Sequence, residues 1–276
     1  LIDLDKTTTV SPAKKLILTE FRRNTGIMLH KTKGIVLRTV KYGETSLIVS
    51  IFTELFGLQS YLVNGVRKAS RNGSSKTGFF QPAAILDLVV YHHEQKNLER
   101  IKEYQWAHLY QHIFSDVIKN SIALFMVELL QKCLKQPEAH PELYQFAEDA
   151  LAHLDMADGA VQANFPLYFA LHAAGLFGLR INDNYSEQRI WLDLEEGFFT
   201  EEKPAHVHYL GVPYSGITSQ LLRVMRPDEL PEVPLNREKR RVLMQAYQDF
   251  FSLHVAGFGS LKTLGILKTL LDDQSL

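Results

Sequence analysis

The sequence predicts an α+β multidomain chain: an N-terminal OB-fold β-barrel, then an all-α helical domain carrying a small loop/hairpin insert. Three observations predict it. From Thr32 to Ala107 apolar and polar residues alternate with the two-residue period of half-buried strands. Near Tyr110 the spacing changes to that of amphipathic helices and stays helical through most of the remaining chain. Charge divides at the same place: residues 28–107 hold eleven Lys/Arg against six Asp/Glu, and residues 108–276 hold fourteen against twenty-two. A basic front and an acidic rear, within 276 residues of net charge −1, imply two domains with different duties.

Taken in order, residues 1–27 are polar and mixed in charge, and their longest apolar run is Leu16–Leu18. Strand-like sequence begins directly after Met28, so Met28 reads as the natural start and 1–27 as upstream or added sequence. In GIVLRTVKY the alternation places Ile35, Leu37 and Thr39 on one face and Val36, Arg38 and Val40 on the other. SLIVSIFT follows with Leu47, Val49 and Ile51 on a common face, and Phe56–Gly57 marks a turn into LQSYLVNGV. A loop, GVRKASRNGSSKT, leads to a fourth strand, AAILDLVVY, and 98–107 forms a last strand or short mixed element. Five strands joined by unequal loops fit a small closed barrel, assigned to residues 28–107.

In the rear domain, 108–276, Ile113, Val117, Leu124, Val127, Leu130 and Leu134 share a face of one long helix that ends before Pro137. A second helix runs from about Pro141 to Leu154. NFPLYFALHAAGLFGL (164–179) is apolar nearly all round and predicts a buried central helix with Pro166 in its first turn. The helical period is lost across 180–213, a loop-and-hairpin insert, and returns at 219–225, 237–255 and 261–271.

Several chemistries find little support. One cysteine, Cys133, excludes an intrachain disulfide; it fits a reducing cytoplasmic compartment and reads as a buried small hydrophobe. No run approaches the roughly eighteen apolar residues of a membrane span. Gly73–Thr77 lacks two glycines of a phosphate-binding P-loop, where Ser70 and Ser75 stand, and a strand rather than a helix follows. His206 and His208 share one strand face, but no convincing third and fourth metal ligands lie nearby. No nucleophile motif appears, so no catalytic residue, metal or cofactor is assigned.

The loop from Gly65 to Thr77 carries four positive charges and no negative one. Such a loop is either a solvated connection or, held between barrel strands, a set of mobile cations for a phosphate backbone. Arg38 and Lys41, on and at the end of the first strand, favour the second. Tyr42, Tyr61 and Phe79 lie near in sequence, either as stacking platforms for bases or as core.

Five ordered segments carry a more specific signal: Gly34–Arg38, Tyr42–Glu44, Phe52–Leu58, Gly65–Ser70 and Gln81–Pro82. Together they resemble the N-terminal domain of the bacterial RecO family, and Tyr247–Phe251 and Ser260–Leu267 resemble its closing helices. The resemblance implies a DNA repair and recombination mediator without catalysis. It implies binding to single- and double-stranded DNA, strand annealing, contact with the tail of single-strand-binding protein, and loading of RecA together with RecR. The DNA contacts it implies here are Arg38, Lys41, Arg67, Lys68, Arg71 and Lys76. Many members carry a four-cysteine zinc site after a buried helix; this chain has INDNYSEQ and EEKPAHVHY there, without a thiol. The structural work of that site would fall to packing by Ile190, Trp191, Leu192 and Phe198. Competing readings are an OB-fold RNA-binding accessory protein, and a hydrolase or transferase using His206, His208 and nearby acids of the insert.

Overall fold

A computed structural model of the protein describes residues 28–67, 76–93 and 96–273. Residues 1–27, where the start at Met28 was inferred, lie outside this set, as do Lys68 and Arg71 of the basic loop.

Five strands form the first half: β1 (Met28–Tyr42), β2 (Ser46–Thr53), β3 (Gly57–Val63), β4 (Ile85–His92) and β5 (Glu99–Trp106). They close into a barrel in the order β1-β2-β3-β5-β4, with β4 returning to pair with β1. All neighbours run antiparallel except β3 and β5, which meet in parallel at Tyr61–Glu99 and Leu62–Arg100. The predicted alternation of β2 holds: Leu47, Val49 and Ile51 all point into the barrel, against Val36, Tyr61, Val63, Leu86, Leu88 and Val90. Gly34 is required inside it, because a Cβ there would stand 2.5 Å from Ile51 Cγ2 and 3.0 Å from Leu88 Cδ1. A 3₁₀ turn, Lys76–Phe80, buries Phe80 in the same interior, and Thr39 Oγ1 donates to the Phe80 carbonyl.

The predicted faces of β1 need one correction. Its register with β2 shifts between Val36, opposite Ile51, and Arg38, opposite Ser50, so Leu37 is the extra residue of a β-bulge. Val36 therefore points inward while Leu37 and Arg38 both point outward. Thr39, opposite Val49, takes the inward face instead of sharing one with Ile35 and Leu37.

The second half is helical: α1 (Val117–Cys133), α2 (Pro141–Met156), α3 (Gly159–Leu176), α4 (Tyr214–Arg223), α5 (Arg237–His254) and α6 (Lys262–Asp273). Asp116 starts α1 by accepting from the backbone N–H groups of Ile118 and Lys119, both at 2.8 Å. Ile113, expected on this helix, is buried in the turn before it. The apolar α3 lies at the centre, packed on α1, α2, α4 and α5. It starts five residues earlier than expected, which places Pro166 inside the helix rather than in its first turn. Burial of the surrounding side chains offsets the hydrogen bond the proline removes. Similarly, α4 starts at Tyr214 rather than Ser219, directly after the 180–213 stretch and five residues before the apolar period becomes visible.

The 180–213 insert is a three-stranded sheet rather than a simple hairpin, with order β7-β6-β8: β6 (Trp191–Asp193), β7 (Phe198–Thr200) and β8 (Tyr209–Leu210). Leu192 and Phe199 are its buried anchors, whereas Phe198 is exposed, the reverse of the expected phase. Asn184 fixes Phe199 by donating to its carbonyl at 2.9 Å and accepting from its N–H at 2.8 Å.

Barrel and helices share one core. Ile35, Leu37, Phe52, Ala83 and Ile85 on the outside of the barrel belong to the same apolar cluster as α1, α2 and α3. Phe52 meets Tyr144 edge-on at 5.5 Å, and Lys33 Nζ donates to Glu148 at 2.9 Å. Gly57, at φ +63°, lets the β2–β3 turn approach the loop before α2 so closely that a Cβ would stand 1.8 Å from the Glu138 carbonyl oxygen. Asp155 ties down the interdomain connection, accepting from the N–H groups of Gln111, His112 and Ile113 at 2.7–2.8 Å.

Candidate nucleic-acid interface

Helices cover part of the barrel wall; the outer face of β1-β2-β3-β5 beyond the bulge is open. Cross-strand pairing arranges its side chains in rows. One row runs Arg38, Ser50, Ser60, and the next Val40, Ile48, Leu62, Arg100. At the strand ends Tyr42 pairs with Ser46, whose hydroxyl donates to Asn64 Oδ1 at 3.0 Å. No carboxylate stands in these rows. Hydroxyl groups and exposed aliphatic surface fill the space between the two guanidinium groups.

The opposite face differs. There β1, β4 and β5 present the rows Lys33–Asp87–Gln105 and Lys31–Val89–Glu103, and Glu54 joins them around a groove of about 740 Å³. Three carboxylates on this side offset its two lysines, whereas the two rows of the open face carry cations and no acid, with Glu44 exposed in the β1–β2 turn beyond them. A polyanion is attracted to the open face and finds no net attraction on the other.

The assigned cations occupy defined places. Arg38 is exposed because the bulge turns it out; unbroken alternation after Val36 would aim it at the interior. Lys41 is exposed where β1 leaves the barrel. Arg67 has a structural bond as well: its N–H donates to the Thr45 carbonyl at 3.1 Å, and Nη1 to the Gly43 carbonyl at 2.9 Å. These bonds fasten the start of the basic loop to the β1–β2 turn, and the remaining guanidinium N–H groups are left for a ligand. Lys76 is exposed at the head of the 3₁₀ turn that Thr39 anchors to β1. Arg38, Lys41, Arg67 and Lys76 thus all attach to the β1–β2 end of the barrel.

The aromatic alternatives separate. Tyr61 is wholly buried in the barrel interior, where burial pushes its phenol well above the ordinary value. Phe79 stacks on Trp106 at 4.9 Å and is half-buried. Only Tyr42 of the three, 54% exposed, offers a ring face to solvent. Arg100 was missed by sequence reasoning. Its position depends on the parallel pairing of β5 with β3, which brings it level with Leu62 from about forty residues away.

The insert supplies a hydrogen-bonded turn. Asp193 Oδ1 accepts from the N–H groups of Glu195 and Glu196 at 2.8 and 3.1 Å, and its Oδ2 lies 3.1 Å from His206 Nε2. His206 Nδ1 accepts from the His208 N–H at 3.2 Å, so the ring is engaged at both nitrogens. Among the described residues no group of three or more His, Cys, Asp or Glu side chains is arranged to hold a metal. The one thiol, Cys133, lies on α1, and burial pushes its pKa up to about 12. These donors do not fit a four-thiolate zinc site. No helix among the described residues is long and apolar enough to cross a membrane.

Comparison with known proteins adds independent information. The family model described as "Recombination protein O N terminal" matches residues 28–110, and "Recombination protein O C terminal" matches residues 115–264. Curated relatives named DNA repair protein RecO include one from Porphyromonas gingivalis, 32% identical over 247 residues, covering 89% of this chain and all of the relative. Another, from Flavobacterium johnsoniae, is 33% identical over 242 residues, covering 86% of this chain and 97% of the relative. One from Azobacteroides pseudotrichonymphae is 27% identical over 245 residues, covering 89% and 100%.

Proposed function

The chain belongs to the recombination protein O family of DNA-repair proteins, and from that premise we propose that it is a non-enzymatic mediator of DNA repair and recombination. It binds single- and double-stranded DNA, promotes annealing of complementary strands, and helps RecR load RecA onto DNA coated with single-strand-binding protein. Residues 28–107 are the DNA-binding unit, residues 108–276 dock partner proteins, among them the tail of single-strand-binding protein, and the protein acts in the bacterial cytoplasm.

The acid-free rows Arg38–Ser50–Ser60 and Val40–Ile48–Leu62–Arg100, with cations gathered at the β1–β2 end, carry this reading. Arg38, Lys41, Arg67 and Lys76 contact phosphates, joined by Lys68 and Arg71 from the loop. Tyr42 supplies a ring for one base, and the Ser50 and Ser60 hydroxyls donate to backbone oxygens. Phosphate contacts position a strand without reading its sequence, so binding has little sequence preference. An annealing protein needs this property, because it must accept either complementary strand.

Annealing of two complementary oligonucleotides coated with single-strand-binding protein tests the reading, since it requires DNA contact and partner contact together. Faster annealing than with coated strands alone is expected. Failure to shift mixed-sequence single-stranded DNA at moderate salt overturns the DNA-binding role.

A further inference from the structure

The small sheet of the insert buries one face and leaves the other open. Leu192, Phe199 and Leu210 point into the helical core. Trp191 and Asp193 of β6 point the other way, and the register sets Phe198 and Tyr209 on either side of Asp193. Three aromatic rings therefore share the outward face. Phe198 is exposed, while Trp191 and Tyr209 are half-buried. The Trp191 and Tyr209 rings lie 5.5 Å apart with their planes at 76°, two walls of a corner. Gly211 seats one wall: a Cβ there would stand 2.6 Å from Trp191 Cζ3, so the indole rests on bare backbone.

This corner already holds a cation. The Lys203 ammonium lies 5.0 Å from the centre of the Tyr209 ring and 5.9 Å from that of Trp191. Glu201 and Glu202 precede it directly, yet Glu201 pairs with Arg189 at 3.6 Å, and among the described residues Lys203 has no ion pair. The negative ring faces, rather than a carboxylate, hold the charge.

We propose that the outward face of this sheet docks a basic segment of a partner protein, one of whose arginine side chains replaces Lys203 between Trp191 and Tyr209. Charge decides the partner class. Residues 180–213 carry seven acids against three bases, and a displaced Lys203 leaves the acids in still greater excess around the rings. The same balance repels a phosphate backbone, so the rings are not a platform for bases. Lys203 is exposed and returns to water when it leaves. Arginine is the favoured replacement, because its planar guanidinium is more weakly hydrated than an ammonium and stacks on aromatic faces. The small sheet that resists explanation as a metal site thereby gains a role as a docking face. This inference rests on the protein-docking role proposed for residues 108–276.

Fluorescence anisotropy of a fluorescein-labelled eight-residue peptide of alternating Arg and Ala, titrated with the full chain, tests it. Saturable binding is expected, and the unlabelled peptide should change the tryptophan emission, to which only Trp106 and Trp191 contribute. Lys203→Ala empties the corner and should tighten binding about threefold or more. The gain should exceed that of Arg189→Ala, which removes the same charge from the insert but none from the rings. Trp191→Leu should weaken binding about threefold or more, whereas Trp191→Phe keeps a ring and should retain binding while abolishing the emission change. No gain in Lys203→Ala beyond that of Arg189→Ala, or an emission change that persists in Trp191→Phe, overturns the proposal. Displacement of the peptide by a single-stranded oligonucleotide also overturns it, by assigning the rings to nucleic acid. DNA binding by the same preparations is measured in parallel: loss of peptide binding alone sinks only this inference, while absence of DNA binding in the unmodified chain sinks the function proposed above.

Discussion

Replacing Arg38, Lys41 and Lys76 together with alanine tests the barrel face most directly. All three are exposed, and none has a hydrogen-bond partner among the described contacts that would be lost with it. Arg67 is left in place, because its bonds to Gly43 and Thr45 hold the loop and its removal would confuse binding with folding. Each phosphate neutralised on a single strand contributes roughly 0.7 to the slope of log affinity against log salt. Losing three contacts should therefore flatten that slope by about 2. Because the counterion contribution vanishes near 1 M salt, a slope difference of about 2 corresponds to about hundredfold weaker binding at about 0.1 M. Anisotropy of a labelled mixed-sequence oligonucleotide, titrated at several potassium chloride concentrations, reads both quantities. Thermal unfolding should match the parent chain, since exposed positions of this kind rarely change stability by more than about 0.5 kcal/mol. An unchanged slope refutes the assignment, even if affinity falls, because it means the three cations never displaced counterions from DNA.

Three further outcomes follow from the packing. Gly57→Ala should destabilise the chain by roughly 2–4 kcal/mol in urea unfolding, since the new Cβ meets the Glu138 carbonyl oxygen at a backbone angle that disfavours side chains; a loss under about 1 kcal/mol contradicts that close approach. Asp155→Asn should cost about 2–3 kcal/mol near neutral pH by weakening three charge-assisted backbone bonds. Burial pushes the Asp155 carboxyl up, but the N–H groups of Gln111, His112 and Ile113 and the neighbouring His112 hold it below its usual value overall. Its stabilisation is then complete above the unfolded pKa of about 3.9 and lost as pH falls through the lower folded value, so the gap between parent and variant should close below about pH 4. Parallel stability curves down to the acid limb would contradict this. Finally, Cys133, its thiol pushed up to about 12, should resist alkylation at pH 8 in the native chain and react at once in denaturant. Rapid native labelling would show that α1 opens more readily than its packing implies.

Local patterns made much of the fold legible. β2 matches its predicted bounds because Leu47, Val49 and Ile51 alternate without interruption and a turn follows. Features set by distant partners were not legible. The β1 bulge belongs to the register between two strands, so nothing within GIVLRTVKY alone reveals that Leu37 is the extra residue. The early start of α3 depends on neighbours that bury Ala163 to Phe165 and outweigh the proline signal. In the insert, Phe198 and Phe199 are adjacent and chemically identical; only pairing with β6 and the Asn184 bonds decide which is buried. Of the candidate interface, the cations were visible as charge on strand ends and a loop, while the absence of acids from the rows Arg38–Ser50–Ser60 and Val40–Ile48–Leu62–Arg100 required the sheet order. Arg100 was hidden for the same reason.

The bulge is where fold and proposed function meet. Before it, the outward residues Ile35 and, at the bulge itself, Leu37 are buried against the helical domain, and Gly34 and Val36 fill the barrel. After it, the outward residues Arg38, Val40 and Tyr42 are exposed. Strict alternation would send Leu37 outward and Arg38 into an interior already filled by Val49, Ile51 and Tyr61, where an unpaired guanidinium is strongly disfavoured. By inserting one residue, β1 presents two consecutive side chains on the same side of the sheet, an apolar one for the domain junction and a charged one for solvent. The Gly-Ile-Val-Leu-Arg segment therefore has a physical reading residue by residue: room in the barrel, junction, barrel, junction, open face. Because the same backbone irregularity seats the helices and aims Arg38, the junction and the cationic face are positioned relative to each other by a single strand rather than by a flexible linker.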